Sequence, residues 1–212
     1  MSLASIKRSL FTLSRHIMPK GPQTPPPPTV PTAIKSREEA KLGDGTEVAT
    51  FASGCFWGTE HLFNKYYSHL PQWKIEVGYT GGRDDAKDPS YQQVCSGNTQ
   101  HAEAVRLHYQ KGAVGYGELV EFFYRTHDPT TLNSQGPDRG TQYRSAIFYH
   151  TPEQLATAKA VTAEVQDKYL KDRKIVTEIS PAAKWWTAEE YHQKYLDNNP
   201  GGYECPTHRM YW

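Results

Sequence analysis

The chain has 212 residues and a formal net charge of +1, but its charges are unevenly distributed. Residues 1–37 contain six basic and no acidic residues, so the remainder carries 18 Lys and Arg against 23 Asp and Glu. An acidic body argues against a nucleic-acid-binding protein, because phosphate binding needs clustered positive charge. No stretch approaches the roughly 18 consecutive apolar residues of a membrane span, and three cysteines are too few for a disulfide scaffold.

The first 41 residues have the composition of a segment outside the folded domain. Residues 1–18 are basic, rich in serine and free of acidic residues, which is typical of a mitochondrial transit peptide. The alternative is a disordered basic arm, with Met18 as a second possible start. Residues 19–31 hold seven of the 15 prolines and predict an extended linker. We therefore expect a folded domain over residues 42–212, in the mitochondrion or the cytoplasm.

Strand and helix patterns alternate from residue 46 onwards. The first half predicts a strand at Thr46–Ala52, a helix at Trp57–Tyr66, a strand at Lys74–Tyr79, a loop over residues 80–100, a strand at Val105–Tyr109 and a helix at Leu119–Thr126. The second half predicts a loop at Asp128–Thr141, a strand at Ser145–Tyr149, a helix from the N-cap Thr151 to Tyr169, a strand at Ile175–Ile179, a helix at Thr187–Leu196 and a mobile tail from Asp197. Because strands separated by helices need crossover connections, the pattern predicts a single α/β domain with a mixed sheet.

Cys55 has the clearest chemical signature in the chain. An apolar strand runs into Ser53-Gly54, then Cys55, and a predicted helix follows directly. Free N–H groups and the dipole at a helix N-terminus favour an anion, so this position is expected to lower the pKa of the thiol. Phe56 and Trp57 are interpreted as walls around whatever the sulfur attacks. The alternative is a small buried cysteine at a strand end.

Five motifs then follow one another along the chain. They are Gly54–Gly58, Gly78–Gly82, Tyr91–Gly97, His101–Val105 and Gly140–Ser145. Together they resemble the A-type peptide-methionine sulfoxide reductases, over roughly residues 46–205. The resemblance implies a split β-α-β (ferredoxin-like) core in a two-layer α/β sandwich, with no metal or organic cofactor. It also implies thiol-dependent reduction of the S epimer of methionine sulfoxide, both free and in proteins.

The resemblance assigns a role to each group around the sulfoxide. A sulfoxide sulfur is a poor electrophile until its oxygen is hydrogen-bonded or protonated, so the site needs a thiolate, donors and an acid. By resemblance, Cys55 is the nucleophile and Glu103 is the acid. Tyr91 and Tyr143 are, by the same resemblance, the phenol donors. A Glu103 carboxyl among aromatic rings would be partly desolvated, which favours its neutral, proton-donating form.

The resemblance also assigns the residues that hold the rest of the substrate. Phe56 and Trp57 form the slot for the S-methyl group, and Asp138 is a substrate-holding carboxylate. Each assignment has a structural alternative when it is taken singly: the tyrosines as loop anchors, Asp138 as a turn residue, Glu103 as an edge carboxylate. The order of the motifs favours the catalytic interpretation.

Two further cysteines are candidates for completing the cycle. Attack by Cys55 leaves a sulfenic acid, which a second thiol condenses into a disulfide, and thioredoxin reduces that disulfide by exchange. Cys205 resembles the family's resolving cysteine, so we expect a Cys55–Cys205 disulfide. Cys95 lies between Tyr91 and Glu103, in a segment expected to form one wall of the pocket and therefore to move little. Some family members carry a further cysteine beyond this position, and residues 206–212 contain none.

Two rival functions stay open on the residues alone. A cysteine hydrolase would pair Cys55 with His101 or His192 as base, although no papain-type pattern surrounds Cys55. An aromatic-lined module would bind oxidised side chains without turning them over.

A zinc site and paired catalytic acids are less well supported. The spacing His101-x-Glu103 resembles a zinc deaminase motif, but the Pro-Cys-x-x-Cys that supplies the other ligands is missing. Glu189-Glu190 is interpreted as solvated surface, and His192 as a histidine without a special partner.

We expect the protein to be a monomer whose partners are thioredoxin, oxidised proteins and free methionine sulfoxide.

Overall fold

The computed structural model describes residues 21–212, so the transit-peptide prediction for residues 1–18 lies outside the described part of the chain. The helices are α1 (Pro31–Glu39), α2 (Phe56–Tyr67), α3 (Tyr91–Cys95), α4 (Tyr116–Arg125), α5 (Pro152–Tyr169) and α6 (Tyr195–Asn198). The strands are β1 (Thr46–Ser53), β2 (Lys74–Thr80), β3 (Ala102–Gln110), β4 (Ser134–Gln135), β5 (Asp138–Arg139), β6 (Ser145–Tyr149), β7 (Glu178–Pro181) and β8 (Trp186–Thr187). Short 3-10 turns occupy Thr141–Tyr143 and Glu190–His192.

Six strands form one mixed sheet in the order β7-β6-β1-β3-β2-β8. β6 and β7 are parallel, and the other neighbours are antiparallel. β1 and β2 both run antiparallel to β3, which lies between them, and α2 connects them, so β1-α2-β2 is a split β-α-β unit. The predicted α/β class with a mixed sheet is confirmed. No helix within residues 21–212 is long and apolar enough to cross a bilayer.

Helices α2, α4 and α5 cover one face of the sheet, and successive side chains of each strand point to opposite faces. Phe51 of β1 is fully buried there and stacks on Phe63 of α2 and Phe123 of α4, with ring centroids 5.5 and 5.2 Å apart. The opposite face carries small residues, which are buried beneath Phe148 and Trp185. The aromatic core therefore fixes α2 against β1, and with it the residue that joins them, Cys55.

The segment before residue 42 differs from the expectation of a disordered linker. Residues 31–39 form α1, and Val30 and Ala33 are fully buried. Glu121 accepts hydrogen bonds from the Thr29 and Val30 backbone N–H groups, at 2.8 and 3.1 Å. The carboxylate comes from α4, more than 90 residues away, so local composition gives no sign of it. The folded body therefore begins well before residue 42.

Other predicted elements also differ. The predicted loop at Asp128–Thr141 contains the β4–β5 hairpin, and the predicted strand Ile175–Ile179 forms at Glu178–Pro181. The predicted loop over residues 80–100 contains the helical turn α3, which a reciprocal capping box at Ser90 and Gln93 begins. The predicted helix Thr187–Leu196 is divided into β8, a 3-10 turn and α6. Residues 186 and 187 pair with the edge of β2, and this sheet contact prevents the Thr187 box from starting a helix.

The predicted mobile tail from Asp197 is packed against the body over its second half. Cys205 and His208 are 1% and 4% exposed. The backbone N–H of Tyr211 donates to Arg125 O at 2.9 Å, and the Trp212 ring stacks on Tyr169 with centroids 4.3 Å apart. All of these partners are distant in sequence, so the Asn-, Pro- and Gly-rich composition before Cys205 gave no indication of them.

Candidate active site

Cys55 lies at the junction between β1 and α2, where it is the N-cap residue of the helix. The turn into the helix depends on Gly54, whose φ of 98° is in the region that disfavours side chains. A Cβ at Gly54 would also lie 2.5 Å from Cβ of Gln135. The strand-to-helix turn predicted from the sequence is therefore present, and it holds the Cys55 thiol at the end of the sheet with 7% of the residue exposed.

The pKa of Cys55 differs from the expectation. Burial raises the pKa of the thiol far above its usual value, and the neighbouring Glu103 carboxylate adds to this effect. The backbone N–H groups of Trp57 and Gly58 at the start of α2 lower the pKa, as expected for a helix N-terminus, but they do not outweigh desolvation. The resting site therefore contains a neutral thiol whose ionisation requires a change in its surroundings.

Glu103 on β3 lies beside this thiol and is 1% exposed. Its Oε2 accepts a hydrogen bond of 3.1 Å from the Phe56 backbone N–H, the first residue of α2. Burial raises the pKa of the carboxyl to about 8, with the Asp138 carboxylate also raising it and the Phe56 N–H lowering it. Glu103 is therefore mainly neutral at pH 7, as the sequence predicted, and it is held in place by the helix that carries Cys55.

Phe56 and Trp57 lie in an aromatic cluster next to Cys55. The Phe56 ring lies 5.9 Å from the Tyr79 ring and 5.1 Å from the His192 ring, centroid to centroid. Trp57 stacks on Tyr195 at 3.7 Å, and its indole N–H donates to His192 Nδ1 at 3.1 Å. One face of the indole and its N–H edge are thus fixed, which gives an apolar wall of defined shape.

His192, which the sequence analysis named as a possible hydrolase base and otherwise as a histidine without a special partner, has a partner in Trp57. It is 1% exposed, and burial lowers the pKa of its imidazole, so the ring is neutral and its Nδ1 accepts the bond from Trp57. Its ring also lies 4.6 Å from that of Tyr91. Through His192, the 3-10 turn Glu190–His192 is joined to Trp57 of α2 and Tyr91 of α3, which are far from it in sequence. Because Nδ1 accepts from Trp57, the neutral ring carries its proton on Nε2 and has no free nitrogen lone pair. His192 is therefore not placed as the base of a cysteine hydrolase.

Glu189 corrects the interpretation of Glu189-Glu190 as solvated surface. Its Oε1 accepts from the Tyr91 backbone N–H at 2.9 Å, and its Oε2 accepts from the Tyr79 hydroxyl at 2.8 Å. One carboxylate therefore ties the start of α3 to β2. Glu189 reaches these partners because β8, which lies just before it in the sequence, pairs with β2. The helix predicted over this segment could not have indicated those contacts.

Tyr91 precedes Glu103 in the sequence and Tyr143 follows it, and both phenols are influenced by the Glu103 carboxylate. Burial raises the pKa of both phenols, and the Glu103 carboxylate raises the pKa of both further. Cys55 and Cys95 also contribute to the shift at Tyr143. The two phenols are therefore neutral and able to donate hydrogen bonds.

Asp138 comes from the β4–β5 hairpin and faces the segment that contains Cys205. Its Oδ1 accepts a hydrogen bond of 2.9 Å from the Tyr203 hydroxyl, and its Oδ2 is buried with no hydrogen-bond partner among residues 21–212. Asp138 contributes to raising the pKa of both Cys55 and Cys205. The carboxylate therefore lies near both thiols.

Cys205 is buried against the β4–β5 hairpin. Its thiol lies 3.5 Å from Gln135 O and 3.2 Å from Thr207 Oγ1. Gln135 is itself fixed by two hydrogen bonds to the backbone of Asp128, at 3.1 and 2.9 Å, and its side chain packs on Gly54. Gln135 therefore contacts both Cys205 and the turn that carries Cys55, and all three cysteines are free thiols.

The histidine of the His101-x-Glu103 spacing is packed rather than placed as a ligand. The His101 ring lies against Gly82, where a Cβ would be 2.3 Å from Nδ1. No group of three or more His, Cys, Asp or Glu side chains within residues 21–212 is arranged to hold a metal ion.

Comparisons with known proteins agree with this site. A family model described as peptide methionine sulfoxide reductase matches residues 47–210. A probable peptide methionine sulfoxide reductase of Schizosaccharomyces pombe is 48% identical over 167 residues, covering 78% of this chain and 97% of the relative. The reduced form of Mxr1 from Saccharomyces cerevisiae superposes with a TM-score of 0.74 at 44% identity, covering 82% of this chain and 97% of that one.

A further structure relates the fold to a partner protein. Mxr1 from Saccharomyces cerevisiae in complex with Trx2 superposes with a TM-score of 0.53 at 29% identity, covering 82% of this chain and 96% of that one. The family match spans the strand-to-helix turn of Cys55, the buried acid on β3 and the segment of Cys205. The chain therefore belongs to the peptide methionine sulfoxide reductase family of oxidoreductases.

Proposed function

We propose that this enzyme reduces the S epimer of methionine sulfoxide, free or within proteins, through a Cys55 sulfenic acid and a Cys55–Cys205 disulfide that thioredoxin reduces. The observation that carries the proposal is the pairing of a free thiol with a neutral acid. Glu103 is bonded to the first backbone N–H of α2, directly after Cys55, and its pKa of about 8 keeps it protonated at pH 7.

The first step transfers the substrate oxygen to Cys55. Glu103, Tyr91 and Tyr143 donate to the sulfoxide oxygen, and Glu103 passes its proton to that oxygen as the sulfur becomes electrophilic. The Cys55 sulfur attacks the substrate sulfur and its own proton restores the Glu103 carboxyl. The protonated oxygen then passes to the Cys55 sulfur as the S–O bond of the substrate breaks. The thiol and the sulfoxide become a sulfenic acid and a thioether, so Cys55 loses the two electrons that the substrate sulfur gains.

The surrounding side chains orient the substrate. The indole of Trp57, held by His192 and Tyr195, provides a rigid apolar surface for the S-methyl group. Asp138 accepts from Tyr203 through Oδ1 in the resting enzyme, and its Oδ2 has no partner among residues 21–212, so a substrate N–H group would donate to Oδ2. This contact would place the substrate next to the segment that carries Tyr203 and Cys205.

The second step regenerates the thiols. Cys205 attacks the Cys55 sulfenic acid, a disulfide forms and water leaves. Two thiols of thioredoxin then reduce the disulfide by exchange. The complex of Mxr1 with Trx2 supports this choice of reductant, because that relative shares the fold.

We predict that only the S epimer of methionine sulfoxide is consumed. One methyl surface and one set of oxygen donors fix the hand of a sulfoxide that fits both. Separated R and S epimers should be offered with dithiothreitol as reductant, and the remaining sulfoxide measured by chiral chromatography. Comparable consumption of both epimers would contradict the proposed substrate.

We predict that Cys205→Ser allows one equivalent of methionine per enzyme and almost no turnover with thioredoxin. The variant retains attack by Cys55 but lacks the thiol that removes the sulfenic acid. Cys95→Ser is the matched control and should keep turnover near normal, because Cys95 lies on α3 beside Tyr91. Peptide mapping after one turnover checks the assignment, and a Cys55–Cys95 linked peptide would contradict it.

We also propose that residues 1–18 direct the protein to mitochondria, on the support of their composition alone. A fluorescent reporter fused after residue 37 should then co-localise with a mitochondrial marker. The same fusion with Lys7, Arg8 and Arg15 replaced by Gln is the control, because removal of the positive charge should abolish import. A diffuse signal from the unmodified fusion would favour a disordered basic arm.

A further inference from the structure

We propose that residues 207–212, here called the anchor segment, position Cys205 for closure of the disulfide with Cys55. The inference rests on the proposed function, because it concerns the second step of that cycle. The positioning residues are His208 and Trp212, which lie near the two ends of the anchor segment and attach it to two different parts of the body.

His208 attaches the anchor segment to the turn that carries Cys55. Its imidazole is 4% exposed, and Nε2–H donates to Ser53 O at 2.8 Å, two residues before Cys55. The ring also packs on Gly58 of α2, where a Cβ would lie 2.0 Å from Nδ1. His208 therefore contacts the end of β1 and the first turn of α2 on both sides of the nucleophile, and Gly58 provides the space for it.

Trp212 attaches the other end of the anchor segment to α4 and α5. Its main-chain oxygen accepts from Arg125 Nε at 2.7 Å, and its ring stacks on Tyr169 with centroids 4.3 Å apart. Arg125 is 5% exposed and also donates to Pro27 O at 2.9 Å, so its guanidinium is held on both sides. The backbone bond from Tyr211 N–H to Arg125 O adds a second link to the same residue.

Cys205 lies immediately before this attachment. A turn joins it to the anchor segment, since the His208 N–H donates to Cys205 O at 2.9 Å. Its thiol lies on Gln135, and the other side of Gln135 packs on Gly54 next to Cys55. The chain before it contains Gly201 in the left-handed region, with φ of 89°, and an exposed Tyr203.

These contacts define which part of the chain has to move. If the Cys205 thiol were tethered to Cys55 only through the roughly 150 residues between them, it would sample a large volume. Because His208, three residues after Cys205, is fixed to the body, the thiol samples a small volume. The adjustment needed for bond formation is then confined to residues 199–206. Because reaction rates depend steeply on how reacting atoms are placed, loss of the anchor should slow disulfide closure and leave attack by Cys55 intact.

The test compares His208→Ala and Trp212→Ala with Tyr211→Ala. The control lies in the same segment, its ring is 37% exposed, and its backbone link to Arg125 does not depend on the side chain. His208→Gln keeps a donor for Ser53 O and should restore closure in part. Each protein is mixed with methionine sulfoxide without reductant, and samples are quenched over time. Methionine, trapped Cys55 sulfenic acid and the Cys55–Cys205 peptide are then quantified by mass spectrometry.

We expect methionine release in the first turnover to stay within about twofold of the unmodified enzyme in every variant. Disulfide closure should slow by about tenfold or more in His208→Ala and Trp212→Ala, with the sulfenic acid accumulating, and should be unchanged in Tyr211→Ala. Equal closure rates in all variants would overturn the anchor. Equal slowing of both steps would also overturn it, because the segment would then support Cys55 rather than position Cys205.

The proposed function can fail separately from the anchor. Absence of any Cys55–Cys205 peptide in the unmodified enzyme would overturn the proposed cycle and the anchor together. Presence of that peptide with unaltered closure in the variants would overturn the anchor alone. Thermal unfolding of each variant, measured in parallel, separates a local effect on closure from loss of the fold, and Trp212→Phe provides a variant that retains the stack on Tyr169.

Discussion

Cys55→Ser is expected to abolish reduction of methionine sulfoxide with any electron donor. A serine hydroxyl is far less acidic than a thiol, and burial raises the pKa even of the native Cys55, so a buried hydroxyl at this position would not ionise. The N–H groups at the start of α2 could stabilise an alkoxide only slightly against that penalty. The variant is incubated with methionine sulfoxide and with dithiothreitol as reductant, and the thioether product is measured by chromatography.

Cys95→Ser and Cys205→Ser serve as matched controls for this variant. Each removes one thiol and leaves Cys55, so both should still release methionine in the first turnover. Residual activity of Cys55→Ser above a few per cent of the unmodified enzyme would place the nucleophile elsewhere. Retained affinity for the sulfoxide, measured by calorimetry, would show that the variant lost chemistry rather than binding.

Glu103→Gln is expected to slow the reductive step by roughly 10²–10⁴, the usual loss when a general acid is removed. The amide has the shape of the carboxyl, and its oxygen can still accept from the Phe56 N–H, which holds Glu103 at 3.1 Å. Its N–H protons are far too weakly acidic to be transferred to the sulfoxide oxygen. Because Tyr91 and Tyr143 still donate, binding should change much less than the rate. Single-turnover formation of the sulfenic acid at several substrate concentrations separates the two, and an unchanged rate would demote Glu103 to a structural residue.

The pH dependence of the same step provides a second readout. The pKa of Glu103 is raised to about 8, so the proton-donating form is complete at pH 6 and is lost as the pH rises through 8. The single-turnover rate of the unmodified enzyme should therefore fall above about pH 8. Glu103→Gln should lack this fall, since its amide does not titrate. Glu153→Gln, on the exposed first turn of α5, is the control and should keep the original profile.

The position of Cys55 could be predicted from the sequence because it depends on local structure. Cys55 lies between an apolar strand and a helix, and both elements form where their patterns indicate. Alternation in β3 places Glu103 on the same face as Val105, which is fully buried. Strand and helix periodicity report which side chains face the core, but the predicted strand Val105–Tyr109 began after Glu103, so the role of Glu103 came from the family resemblance.

The pKa of Cys55 shows where local reasoning stopped. The helix N-terminus lowers it, as the sequence predicted, but desolvation by the surrounding protein is the larger effect and has the opposite sign. Burial is a property of everything that packs around the thiol, including the β4–β5 hairpin and the segment of Cys205. No pattern within a few residues of Cys55 carries that information.

The sequence by itself determined the α/β class and the strand-to-helix turn of Cys55, because both follow from short-range periodicity and turn chemistry, whereas the roles of the motifs came from the resemblance to a family. Only the tertiary structure decided that α1 is folded, that His192 holds Trp57 and that His208 fixes the segment after Cys205. Each of these depends on a polar contact between residues about 90 to 155 positions apart. Such contacts satisfy buried donors and acceptors whose need for a partner arises only after the chain has folded.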